Sequence, residues 1–172
     1  MIRKALPIDI PAVARIYDEI HTEEEAGRAS IGWVRSIYPT RKTAETALED
    51  GDLYVIEEEG RIVAAARLNQ KQEASYAEAD WKYDAAEAEV MVLHTLVVSP
   101  KAGNRGWGKA FVRFYEDFAL KHGCKYLRMD TNEKNSRARS FYKNMGYKEV
   151  GIVPCVFNGI KGVPLVCLEK KL

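Results

Sequence analysis

The stretch "SPKAGNRGWGKAFVRFYEDF", residues 99–118, is where the reading of this chain turns. Three glycines, Gly103, Gly106 and Gly108, stand among three basic residues, Lys101, Arg105 and Lys109. Upstream, "VMVLHTLVV" (90–98) is apolar and rich in β-branched residues, the signature of a strand buried on both faces. Downstream, Trp107, Phe111, Phe114, Tyr115 and Phe118 recur at helical spacing, which predicts a helix over 106–120 with Gly123 as its stop.

A strand, a glycine turn and a helix in that order suit an anion. Glycine lets backbone N–H groups approach a ligand with no Cβ in the way. The helix start adds unpaired N–H donors and a partial positive charge. The dipole contributes only about 0.3–1 kcal/mol, so several N–H bonds and a cation must join it. Residues 103–109 (Gly103, Asn104, Arg105, Gly106, Trp107, Gly108, Lys109) are therefore candidates to hold a phosphate group. Two nucleotide motifs nearly fit. Gly103 to Lys109 matches GxxxxGK, but Ala110 stands where a P-loop needs the Ser or Thr that holds Mg²⁺. Gly106-x-Gly108 begins GxGxxG, but Phe111 takes the place of the third glycine. What remains is a pyrophosphate held without a metal, as in coenzyme A.

The remaining sequence sets the context. The chain has 172 residues, enough for one domain with a substantial core, and we expect a single domain over 1–172. The net charge of +1 gives no reason to expect nucleic acid or an anionic membrane as partner. No apolar run is long enough to span a bilayer and the N-terminus lacks a signal-peptide core, so a cytoplasmic protein is expected. Cys124, Cys155 and Cys167 lack CxxC spacing and read as reduced, mostly buried thiols; His21, His94 and His122 show no metal-ligand spacing. No metal is expected.

The predicted elements run β-α-α-β-β-β-α-β-α-β-β. Ile2 to Ala5 opens as a strand, and Asp9 caps a helix with Pro11 in its first turn. A helix over about 41–49 precedes two strands, Leu53 to Glu58 and Arg61 to Leu68, joined across Glu59-Gly60. Residues 70–87 are ambiguous. Tyr126 to Asp130 is a strand, and Asn135 caps a helix carrying Ala138, Phe141, Tyr142 and Met145 on one face, with Gly146 as stop. Tyr147 to Val153 and Val163 to Glu169 close the chain as strands. This order is a mixed α/β sheet with helices on both faces.

Two segments resemble the GNAT superfamily of acyl-CoA-dependent N-acetyltransferases. "LHTLVVSPKAGNRGWGKA" (93–110) is similar to that family's fourth strand and its (Gln/Arg)-x-x-Gly-x-(Gly/Ala) loop. Gly106-Trp107-Gly108 fits; Gly103 replaces the leading Gln or Arg, a departure that Arg105 can offset in charge. "NSRARSFYKNMGYKEVG" (135–151) is similar to Asn-x-x-Ala-x-x-(Leu/Phe)-Tyr-x-x-x-Gly-(Phe/Tyr) at every named position. The resemblance implies a mostly antiparallel sheet whose fourth and fifth strands splay, with pantetheine between them. It implies acetyl-CoA as cosubstrate. Backbone groups of Leu96, Val97 and Val98, the turn 103–109, Asn135 and Phe141 would contact the cofactor, and Tyr142 would serve as general acid to the CoA thiolate.

That chemistry has a cost. An alkyl amine with pKa about 10.4 is roughly 3.4 units from neutral at pH 7, a penalty of about 4.6 kcal/mol. A base or a desolvating site must help. His94 and Glu89 are the two base candidates. They differ by an odd number of positions, so an unbroken strand aims them at opposite faces unless a bulge intervenes. Phenol to thiolate transfer is uphill by roughly 2 kcal/mol, so Tyr142 acts best as a strong donor. Between Glu73 and Glu89, carboxylates interleave with Tyr76, Trp81 and Tyr83, and Trp33 and Tyr38 fall where the family builds its acceptor wall. This suits a small amine or a peptide amine as acceptor, although a solvated acidic loop with core-packed aromatics accounts for the same pattern. A homodimer is left open. The rival reading is a silent acyl-CoA-binding or sensor module that keeps the cradle and lacks a working base.

Overall fold

A computed structural model describes residues 1–172. Seven strands and four α-helices alternate in the expected order: β1 Ile2–Lys4, α1 Ile10–Glu25, α2 Arg41–Glu49, β2 Leu53–Glu58, β3 Arg61–Asn69, β4 Val90–Val98, α3 Trp107–Lys121, β5 Tyr126–Asn132, α4 Ser136–Asn144, β6 Lys148–Phe157 and β7 Ile160–Lys171. The sheet order is β1-β2-β3-β4-β5-β7-β6. β4 and β5 are parallel; the other neighbours whose register is resolved are antiparallel. The β4–β5 ladder runs from Val90↔Tyr126 to Leu93↔Met129 and ends there, partway along β4. No helix is long and apolar enough to cross a membrane.

The chain divides into two compact units: Met1–Ala29 with Trp33–Leu68 and His94–Tyr115, and Ser30–Gly32 with Asn69–Leu93 and Glu116–Leu172. In the first, α1 buries Ile10, Val13, Ile16, Tyr17 and Ile20, and α2 buries only the small residues Ala44 and Ala47. The buried face of α3 here is Phe111, Val112 and Tyr115, while Trp107 and Phe114 are half-buried. The true inward face is thus rotated toward Val112 from the aromatic stripe read in the sequence. Bulk had marked the helix correctly, but the 3.6-residue period places Val112 beside Phe111 and Tyr115.

Asp9 departs from expectation. It occupies the N-cap position of α1 but makes no cap bond. Its carboxylate instead accepts Nη1 and Nη2 of Arg3 at 2.7 and 3.0 Å and the Leu6 N–H at 2.7 Å. A guanidinium fork opposite a nearly buried carboxylate outcompetes a single amide.

In the second unit β5, β7 and β6 form an antiparallel run over a core of Tyr76, Val90, Val92, Val150, Val153, Leu165 and Cys167. The β6–β7 hairpin extends beyond the predicted ends to an Asn158-Gly159 turn with φ of 47° and 86°. That pair is the sequence signature of a two-residue hairpin turn. Pro154 and Pro164 both lie within these strands. They face one another in the arm beyond the last β5 partner of β7, Leu165, where neither missing N–H breaks a three-strand ladder. All three cysteines are free, with Cys124 and Cys167 buried and Cys155 half-buried; burial pushes the Cys167 thiol up to about 12.

Because Arg3 holds the Asp9 carboxyl below its ordinary range, against burial, this pair stabilises the fold above about pH 4 and ceases to as pH falls through the folded Asp9 pKa. Asp9→Asn should cost about 2–3 kcal/mol at pH 7 by urea denaturation, with the difference from wild type shrinking at pH 3. An equal difference at both pH values would contradict this.

Candidate functional site

The sequence-derived residues fall into two groups, one in each unit. His94, Leu96, Val97, Val98 and the turn 103–109 belong to the first; Glu89, Asn135, Phe141 and Tyr142 belong to the second.

In the first unit β4 is distorted just past the end of its ladder. Thr95 has φ +52°, a left-handed conformation that a β-branched residue rarely takes. The Tyr38 hydroxyl bonds to its Oγ1. His94, Thr95 and Leu96 are half-buried, in contrast to the buried run Val90–Leu93. The distortion lies beyond both base candidates and so does not reset the count between them.

A 3-10 turn, Pro100–Ala102, carries the chain to the glycines. Ser99 Oγ organises it, accepting the Lys101 N–H and donating to Glu19 Oε2 at 2.6 Å. Gly103 and Gly106 have φ of +72° and +80°, so glycine is what permits this path. A Cβ built on Gly106 meets nothing within 4 Å. The Gly106 carbonyl accepts the Ala110 N–H at 2.9 Å and starts the α3 ladder, leaving the first helical N–H groups without intrahelical acceptors. The cations around the turn are steered by carboxylates: Lys101 Nζ lies 3.1 Å from Glu19, and Arg105 3.1 Å from Glu58. The Arg105 guanidinium also lies 5.3 Å from the Trp107 ring. Trp107 Nε1 is sealed from solvent with no acceptor, a deficit of about 1–3 kcal/mol.

In the second unit Asn135 is the N-cap of α4, its Oδ1 accepting the Ala138 N–H at 3.1 Å. Its amide nitrogen is not used by the cap. Tyr142 is 8 % exposed, with ring centroids 5.1 Å from Phe141 and 6.0 Å from Tyr147. Its hydroxyl bonds to no protein group, yet it is not among the sealed, unpaired polar atoms, so it can be reached. Burial first, and the charge of Asp130 second, raise its phenol above the ordinary range. Glu89 is exposed in the 3-10 turn Glu87–Glu89 that precedes β4.

The ambiguous segment 70–87 is tied down by polar bonds to the core. Tyr76 is 2 % exposed and donates to Asp130 Oδ2 at 2.7 Å. Trp81 Nε1 donates to the Tyr76 carbonyl, and its ring lies 4.2 Å from the Arg128 guanidinium carbon. Lys82 N–H donates to buried Glu169. The acidic residues Glu73, Glu78, Asp80, Asp84 and Glu87 are all exposed. Tyr76 and Trp81 therefore pack inward and the carboxylates face water. Sequence reasoning missed Asp130, Glu19 and Glu58. Only "RMDTN" carried a signal, a lone carboxylate at the end of a buried strand.

Residues 13–147 match the family model described as the acetyltransferase (GNAT) family. The uncharacterized N-acetyltransferase YhfO of Bacillus subtilis (strain 168) is 35% identical over 60 residues, 35% of this chain and 40% of that relative, so the similarity spans less than half of its length. An acetyltransferase of the GNAT family from Streptococcus agalactiae 2603 superposes with a TM-score of 0.82 at 24% identity, covering 100% of this chain and 95% of that one. The yncA protein of Salmonella typhimurium, solved with its cofactor acetyl-CoA, gives 0.67 at 17% identity over 100% and 93%. At these identities the two structures establish the fold.

Proposed function

The chain belongs to the acetyltransferase (GNAT) family, and from that premise we propose that it is an N-acetyltransferase, moving an acetyl group from acetyl-CoA to a primary amine. We place the activity in one acyltransferase domain over 1–172, since the family match runs through segments of both units. The observation that carries the reading is the glycine turn at the front of α3, open before Gly106 and joined to the distorted end of β4 by one 3-10 turn.

The residues present suit a diphosphate. The first N–H groups of α3 and the cations Lys101, Arg105 and Lys109 supply donors and charge. The ion pairs of Lys101 and Arg105 are exposed on the cation side and weak, so a doubly charged ligand can recruit both. Backbone groups of Leu96, Val97 and Val98 and the side chains of Asn135 and Phe141 would hold the rest of the cofactor. Bound there, acetyl-CoA would supply a thioester carbonyl for attack and a sulfur leaving group.

Tyr142 is the general acid. Its raised pKa keeps the phenol protonated through neutral pH, so it enters the reaction as a proton donor. A strand N–H near Leu96 would hold charge developing on the carbonyl oxygen. His94 and Glu89 are the sequence-derived groups able to take the amine proton, directly or through water. No divalent ion has a role, and the expected setting is the cytoplasm.

The direct test is thiol release from acetyl-CoA with a panel of primary amines. Amine-dependent release supports the enzyme; binding of acetyl-CoA without it supports the silent module. Tyr142→Phe should lower turnover about a hundredfold and leave acetyl-CoA affinity unchanged; unaltered turnover would remove Tyr142 from the mechanism. Gly106→Val adds a β-branched side chain in the open space of a left-handed turn. It should weaken acetyl-CoA binding about tenfold or more by calorimetry, and unchanged affinity would place the cofactor elsewhere.

A further inference from the structure

We propose that Asp130 is a catalytic residue: its carboxylate binds the acceptor as an ammonium ion and takes the proton that frees the nitrogen for attack. This assignment rests on the acetyltransferase reading above.

Asp130 is the first residue of β5 beyond the β4–β5 ladder, whose last pair is Leu93↔Met129. It is fixed from two sides. Its backbone is in register with Cys167 of β7, and its Oδ2 accepts the Tyr76 hydroxyl at 2.7 Å. Tyr76 is itself locked into the core with Val90, Val92 and Leu165. Oδ1 has no partner in the protein and is not among the sealed polar atoms. One oxygen orients the group, and the other is available to a ligand.

No protein cation neutralises it. Arg128, two residues earlier on the same face of the strand, is directed to Gln72 Oε1 at 2.7 Å, the Tyr83 carbonyl at 3.1 Å and the Trp81 ring. The titratable groups acting on Asp130 or feeling its charge are Glu73 and Tyr76 from the 70–87 segment, Tyr142 from α4 and Cys167 from β7. None of them is a cationic group. A carboxylate so placed favours a cation that arrives with the substrate, and an ammonium meets that need where an alcohol does not. Burial, with a smaller push from Glu73 and against the Tyr76 hydrogen bond, raises the Asp130 carboxyl to about 6. It is ionised at neutral pH and still basic enough to share a proton. Glu89, in contrast, faces solvent.

The protons balance. An ammonium acceptor carries three: one remains on the amide, one passes to Asp130 Oδ1 and then to water, and one reaches the departing sulfur by way of the Tyr142 hydroxyl. The C–N bond forms as the C–S bond breaks, and no oxidant or metal is required. Asp130 and Tyr142 thus divide the work by environment: one carboxylate held ready to accept, one phenol held protonated to donate.

The test uses the full chain with acetyl-CoA and three probes: butylamine, spermidine and a peptide with a free N-terminus. For an amine that is acetylated, kcat/KM of the wild type should fall on an acid limb with a midpoint near pH 6. Asp130→Asn can keep the Tyr76 hydrogen bond. It should lower kcat/KM about a hundredfold at pH 7, abolish that limb, leave acetyl-CoA affinity unaltered and leave Tm equal or higher. Tyr76→Phe removes the bond that pulls the Asp130 pKa down, so its acid limb should move to higher pH. His94→Gln should retain the limb. Wild-type kcat/KM in Asp130→Asn, or a limb lost in His94→Gln and retained in Asp130→Asn, overturns the assignment. Acetyl-CoA binding with no amine acetylated by the wild type is a different failure: it removes the acetyltransferase reading, and the Asp130 role with it.

Discussion

A parallel ladder lasts only while both strands stay extended, and in β4 that condition fails early. The last β5 pair is at Leu93, and two residues later Thr95 takes a left-handed conformation. Strain of this kind costs on the order of 1–3 kcal/mol and persists only where neighbours fix it; the bond between Tyr38 and Thr95 is one such restraint. Two consequences follow, one on each strand. Leu96, Val97 and Val98 are outside the β5 ladder, so their backbone groups are not committed to it. Asp130, Thr131 and Asn132 keep their pairs with β7 alone. The groups proposed for cofactor and acceptor follow from this early end to the pairing.

The electrostatics are arranged so that charges wait for partners without being stranded. Around the glycine turn, Glu19 in the body of α1 and Glu58 at the end of β2 hold Lys101 and Arg105. The pairs are loose enough to exchange for phosphate and close enough to restrict where the cations roam. The 70–87 segment works by the opposite rule. Its bonds to Asp130, Arg128 and Glu169 are partly buried, and leaving such groups unpaired would be costly. This is why a polar, acidic stretch with little regular structure nonetheless packs Tyr76 into the core and fixes the carboxylate opposite.

Element order was legible because each boundary had its own chemistry: Asn135 as a cap, Gly123 and Gly146 as stops, the apolar run 90–98 as a strand buried on both faces. The glycine turn was legible because glycine spacing is local. What escaped were effects set by distant partners. The role of Asp9 depended on Arg3, and the inward roll of α3 toward Val112 on packing that bulk alone does not encode. Asn158-Gly159 is a turn signature that the predicted strand ends at Val153 and Val163 left out, and Pro154 and Pro164 are tolerated because β5 stops short of that arm. Asp130 escaped for the same reason. A single carboxylate in a strand looks ordinary until Tyr76 is found bonded to one of its oxygens and no cation to the other.

The claim at the centre is that the amides opening α3 grip a diphosphate. Backbone ¹⁵N spectra of the full chain, titrated with coenzyme A in the presence of EDTA, test it directly. The account requires large shifts and slowed hydrogen exchange at Gly106, Trp107, Gly108 and Lys109. Saturation with coenzyme A that leaves those four amides where they were would contradict it.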